Sequence, residues 1–141
     1  MALAVRDHLA TQIDAALARW DGEPMCWGRD DCALSIANLY VSVFERDPAS
    51  AFRGRYRSER GARRVLGKRG LPGALARTAH RMGWRRIPVT EARTGDLGMV
   101  LTAEGPACVV RHRDGWVGRV DNGFTLLPGG AALRAWNVVR D

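Results

Sequence analysis

The chain has 141 residues, of which 46% are hydrophobic and 26% charged, with a formal net charge of +7. These proportions exclude a disordered, collagen-like or coiled-coil chain as the main state and suit a globular domain. The length fits a single domain over residues 1–141, and no apolar run approaches the ~20 residues that a bilayer-spanning helix needs.

The elements follow in chain order. Residues 2–20 carry Leu9, Ile13 and Leu17 at helical spacing, with Trp20 three residues after Leu17, which predicts an amphipathic helix. Asp21-Gly22-Glu23-Pro24 reads as a turn. Residues 32–45 read as a second helix, with Ile36, Leu39, Tyr40 and Val43 on one face and Asp30 or Asp31 as its N-cap. Residues 46–57 read as loop. Ser58 is the expected cap of a short basic helix ending near Gly67 or Gly70, and a further helix over 72–82 is stopped by Gly83.

From Trp84 onward the pattern changes to short apolar runs: 84–89, 97–102, 107–112, 116–120, 124–127 and 133–139. Asp114-Gly115 and Asn122-Gly123 mark tight turns between strands. Helices over 1–83 followed by antiparallel strands over 84–141 predict an α+β domain.

Charge is unevenly placed. Between Arg46 and Arg93 there are 14 Lys and Arg against 3 Asp and Glu, a balance of +11; the remainder has 8 basic and 12 acidic residues. The middle block reads as a solvated face able to meet an anionic partner. No zinc-finger spacing or aromatic-interleaved RNA motif accompanies it, so nucleic acid is not the expected partner.

Three cysteines are too few, and odd in number, for a disulfide framework. Reduced thiols are expected, in a cytoplasm or on a particle assembled there. Arg6, Asp7 and His8 break any signal-peptide-like apolar region near the N-terminus. Cys26 and Cys32 are spaced as neither a redox nor a zinc pair, so no metal and no cofactor is expected.

Cys32 is the most informative residue. It opens the second predicted helix, where free backbone N–H groups and the helix dipole favour a thiolate. A nucleophilic thiolate also needs a partner base.

The stretch Trp27-Gly28-Arg29-Asp30-Asp31-Cys32-Ala33 resembles the nucleophile segment of NlpC/P60 cysteine peptidases, papain-like hydrolases of the bacterial cell wall. Thr94-Gly95-Asp96-Leu97-Gly98-Met99-Val100 looks like that family's entry to its first barrel strand, and the order of helices and strands agrees. The likeness is closest to short phage-encoded members found among tail genes, and the ending Arg134-Ala135-Trp136-Asn137-Val138 fits that group.

The resemblance implies a papain-like fold, with helices on a small barrel-like antiparallel sheet and Cys32 as nucleophile. It also implies Trp27, Asp31 and Asp96 as residues that shape the site. The family's catalytic His is missing, because Ala107 stands where it is expected. His112, between Arg111 and Arg113, is the substitute base, although a regular strand turns it to the face opposite Ala107. His8 and His80 read as surface residues of helices.

Two functions follow as expectations. One is a structural or interaction component of a phage tail tip, baseplate or related particle, with other tail proteins as partners and catalysis lost. The other is an active peptidoglycan hydrolase using Cys32, with the basic block holding the anionic wall.

Overall fold

A computed structural model describes residues 1–140. Four helices precede six strands: α1 (Ala2–Trp20), α2 (Leu34–Phe44), α3 (Glu59–Leu66), α4 (Gly70–Met82), β1 (Arg85–Ile87), β2 (Leu97–Thr102), β3 (Gly105–His112), β4 (Gly115–Val120), β5 (Gly123–Pro128) and β6 (Arg134–Asn137). The α+β class is as expected. The barrel is not: the strands form one open antiparallel sheet in the order β1-β6-β2-β3-β4-β5, with β1 and β5 as free edges.

The open form follows from the connections. Strands β2 to β5 make a meander through three two-residue turns, pairing Thr102 with Gly105, His112 with Gly115 and Val120 with Gly123. The chain then crosses back so that β6 pairs with β2 on its other side, and β1 caps β6. Nothing joins β5 to β1, and closure would need that pair.

Strand alternation gives the sheet two different faces. Leu97, Met99, Cys108, Val110 and Val117 meet Leu9, Ile13, Ile36, Leu39 and Tyr40 from α1 and α2. On the opposite face, Val100, Val109, Trp116 and Ala135 are covered by the short 3-10 segments Val89–Glu91 and Gly129–Ala131 with their flanks. Trp116 is fully buried there and donates its indole N–H to Gly129 O at 2.9 Å.

Helix ends obey local chemistry. Ser58 accepts from Gly61 N at 3.0 Å, and Gly83 closes α4 in the left-handed region at φ 75°. α1 is docked at its start by Arg6, whose guanidinium reaches Asp96 at 3.1 Å and Thr94 O at 2.9 Å. Among the described residues no helix is long and apolar enough to cross a membrane.

Candidate functional site

Asp31 builds the site. Its backbone carbonyl accepts from Ser35 N at 2.9 Å, and its Oδ1 accepts from Ala33 N at 3.1 Å and Leu34 N at 2.9 Å. Asp31 therefore caps the turn that leads into α2, and Cys32 lies in that turn, two residues before Leu34. Its Oδ2 accepts from Gly28 N at 3.0 Å and from the Tyr56 hydroxyl at 2.6 Å. One buried carboxylate, 1% exposed, thus joins the Trp27 turn, the α2 start and the loop before α3.

The turn itself needs a glycine. Gly28 has φ 87°, and a Cβ there would collide with the Tyr56 carbonyl oxygen. Gly28→Ala is expected to destabilise the fold by roughly 2–3 kcal/mol, from left-handed strain plus a backbone clash. Urea unfolding checks this.

The segment is anchored from the sheet by Arg119 of β4, whose side chain is 1% exposed. Its guanidinium donates to the carbonyls of Glu23 at 3.0 Å, Pro24 at 3.2 Å and Gly123 at 2.9 Å, and to Asp30 Oδ2 at 3.0 Å. Met25 N adds a bond to Asp121 O at 2.6 Å. Sequence reasoning did not single out Arg119. An arginine in a short strand reads as solvent-facing, and only the tertiary fold brings the turn's carbonyls to it.

These contacts set Cys32 in a mostly apolar cleft of about 500 Å³ between the helices and the β2–β3 end of the sheet. Trp27, Asp31, Tyr56 and Cys108 line it as well. Cys32 is half-buried and Cys108 buried. Ala107, where an imidazole was sought, packs with the cluster on the far face yet borders the cleft, whereas Cys108 packs against the helices.

The thiol is not activated. Burial pushes Cys32 up from 9.0 to about 11, and the adjacent Asp31 carboxylate pushes the same way; the backbone N–H groups of Ala33 and Cys32 oppose them and lose. The N–H groups of the helix start favour a thiolate as expected, but burial and the Asp31 carboxylate outweigh them. Burial also drives the Cys108 thiol and the Tyr56 hydroxyl upward.

A raised folded value means that this protonated thiol stabilises the fold fully below the unfolded thiol's pKa. The contribution is lost as pH climbs toward about 11. The variant Cys32→Ser is therefore expected to lose less stability than the parent between neutral and strongly alkaline pH. Denaturant midpoints across that range measure it.

The remaining site candidates fall elsewhere. His112 lies on the helix-facing side of the sheet but at the far end of β3, with Nε2 2.8 Å from Asp14 Oδ1 of α1. Its side chain is 7% exposed, and Nδ1 is buried with no partner. Four residues of strand separate it from Cys108, about 13 Å at the usual rise. His112 does not line the cleft, and neither do His8 and His80, which are exposed on α1 and α4.

Asp96 is wholly buried. It accepts from Arg6, from Arg93 N at 2.9 Å and from Val138 N at 3.2 Å, so it pins α1 and the end of β6 and leaves Cys32 alone. No cluster of three metal-ligating side chains occurs among the described residues.

Fold and site together define an α+β domain whose helix-start thiol sits protonated in an apolar cleft without an imidazole. The chain matches the family described as Domain of unknown function (DUF6950) over residues 5–138, and it belongs to that family. No curated protein matches it.

Proposed function

We propose that the chain is a catalytically silent domain of cysteine-peptidase-like descent, serving as a structural or interaction component of a phage tail or related particle. One observation carries the silence: the cleft that holds Cys32 contains no histidine. Cysteine hydrolysis needs a proton acceptor for the thiol and a donor for the leaving amine. The groups around Cys32 are another thiol, a tyrosine hydroxyl, Glu59 paired with Arg63, and the Asp31 carboxylate saturated by four hydrogen bonds.

The descent rests on the resemblance of Trp27–Ala33 and Thr94–Val100 to the peptidase motifs. The particle rests on the likeness to short phage-encoded members. What the fold retains is a shaped cleft beside a strongly basic face, which suits holding a partner.

Purified peptidoglycan offered to the protein is expected to release no more soluble peptide than it does with the Cys32→Ala variant. Release that depends on Cys32 would instead establish the hydrolase. Particles induced from the encoding bacterium are expected to carry the chain after gradient purification, and its absence from them would overturn the tail assignment.

A further inference from the structure

The cleft that holds Cys32 differs in charge from the rest of the chain. Its charged lining consists of Asp31, Glu59, Glu104 and Asp121 against Arg63 and Arg119, a balance of −2 in a chain of net charge +7. Both cations are engaged, Arg63 by Glu59 at 2.8 Å and Arg119 by Asp30 at 3.0 Å. Asp31 is held by neutral donors alone, three backbone N–H groups and the Tyr56 hydroxyl. Glu104, in the β2–β3 turn, and Asp121, in the β4–β5 turn, are exposed and have no cationic partner among the described residues. The turns of a meander alternate between its ends, so these two carboxylates share one end of the sheet, opposite that of His112. The exposed Arg60 and Arg64 of α3 are not part of the lining.

The groups inside feel this charge. After burial, Asp31 and then Glu59 raise the Cys32 thiol, and Asp31 acts the same way on Tyr56 and Cys108. No cation lowers any of the three.

The cleft is also deep. Its lining runs from the exposed Glu104 and Pro106 to the buried Ile36, Tyr40 and Leu97. Trp27, Phe52 and Tyr56 line it half-buried, which leaves aromatic surface uncovered. Its volume of about 500 Å³ is that of a small-molecule site, commonly ~300–1,000 Å³. A pocket that reaches the core takes a compact ligand end-on, whereas a peptide needs a long surface groove.

We propose that this cleft binds a small amphiphilic cation, an apolar body carrying one ammonium head. The apolar body covers the aromatic and aliphatic lining. The head stays with Glu104 and Asp121, the exposed acidic members of that lining, because low-dielectric walls bearing one sign of charge focus the field on a group of the opposite sign. This assignment goes beyond the tail role and does not depend on it.

The test is isothermal titration calorimetry of the full chain with three probes that share one alkyl chain: decyltrimethylammonium, decanol and decanoate, each below micelle formation. Unspecific attraction to a chain of net charge +7 favours the anion, so preference for the cation reports the cleft. Decyltrimethylammonium is expected to bind about tenfold or more tightly than decanoate, and less tightly as salt is added. In the Glu104→Gln/Asp121→Asn variant its affinity should fall about fivefold while that of decanol stays unchanged. Both side chains are exposed, so the variant should fold. In protein with Cys26 and Cys108 replaced by Ser, the bound cation should slow alkylation of Cys32 at alkaline pH, which places it in the cleft.

Equal or tighter binding of decanoate would overturn the proposal, as would cation binding indifferent to the two carboxylates or without effect on Cys32. Binding of an apolar lysine-bearing peptide but of none of the three probes would also overturn it, and would make the cleft a peptide site. Absence of the chain from phage particles would sink the tail role and leave these binding results standing.

Discussion

Replacing Asp31 by Ala is expected to destabilise the protein by about 3–5 kcal/mol, lowering the melting temperature by on the order of 10–15 °C. The helix cap alone contributes about 1–2 kcal/mol. The rest comes from the Gly28 N–H and the Tyr56 hydroxyl, which lose the acceptor they share. Tyr56→Phe removes only one of those bonds and leaves the carboxylate otherwise satisfied, so its cost should stay near 1–2 kcal/mol. A double-mutant cycle of the two variants should show strong non-additivity, because Asp31 and Tyr56 are in direct contact. If Asp31→Ala costs less than 1 kcal/mol, the carboxylate does not organise the cleft.

The second large effect belongs to Arg119. Arg119→Ala leaves the Asp30 carboxylate and the carbonyls of Glu23, Pro24 and Gly123 without their donor. Breaking a buried charged network on one side costs about 3–5 kcal/mol. Because these groups hold the connection between α1 and Trp27, hydrogen exchange should speed up across residues 21–31 before it does in the sheet. Arg119→Lys should fall between the parent and Ala, since a single ammonium cannot serve partners spread around a planar fork. Uniform loss of protection over the whole sheet would mean that Arg119 supports the core rather than this segment.

Much of the architecture was legible in the sequence. The period of α1 gave its bounds at residues 2 and 20, and the run 97–102 coincides with β2. Ser58 and Gly83 act as the start and stop signals that their chemistry predicts. Asp31 as cap was legible too, although Asp30 was an equal candidate until the fold sent Asp30 to Arg119.

Three things were not legible, each for a tertiary reason. The sheet stays open because β6 returns beside β2, a long-range pairing that no local pattern encodes. Strand parity between Ala107 and Cys108 was hidden because both faces of β3 are buried, so 107–110 reads as continuous apolar chain without alternation. His112 as the substitute base required a strand register that brings it to Cys32, and its actual partner was not visible locally. Asp14, nearly a hundred residues away in sequence, takes its Nε2 instead.

The most direct measurement is the pH profile of Cys32 alkylation, made in protein with Cys26 and Cys108 replaced by Ser, with and without His112→Ala. Catalytic silence predicts a midpoint near 11, identical in both proteins. At neutral pH only about one thiol in 10⁴ would then be ionised, and modification would be slow. A midpoint below 7 that rises when His112 is removed would reveal a thiolate–imidazolium pair and contradict the account.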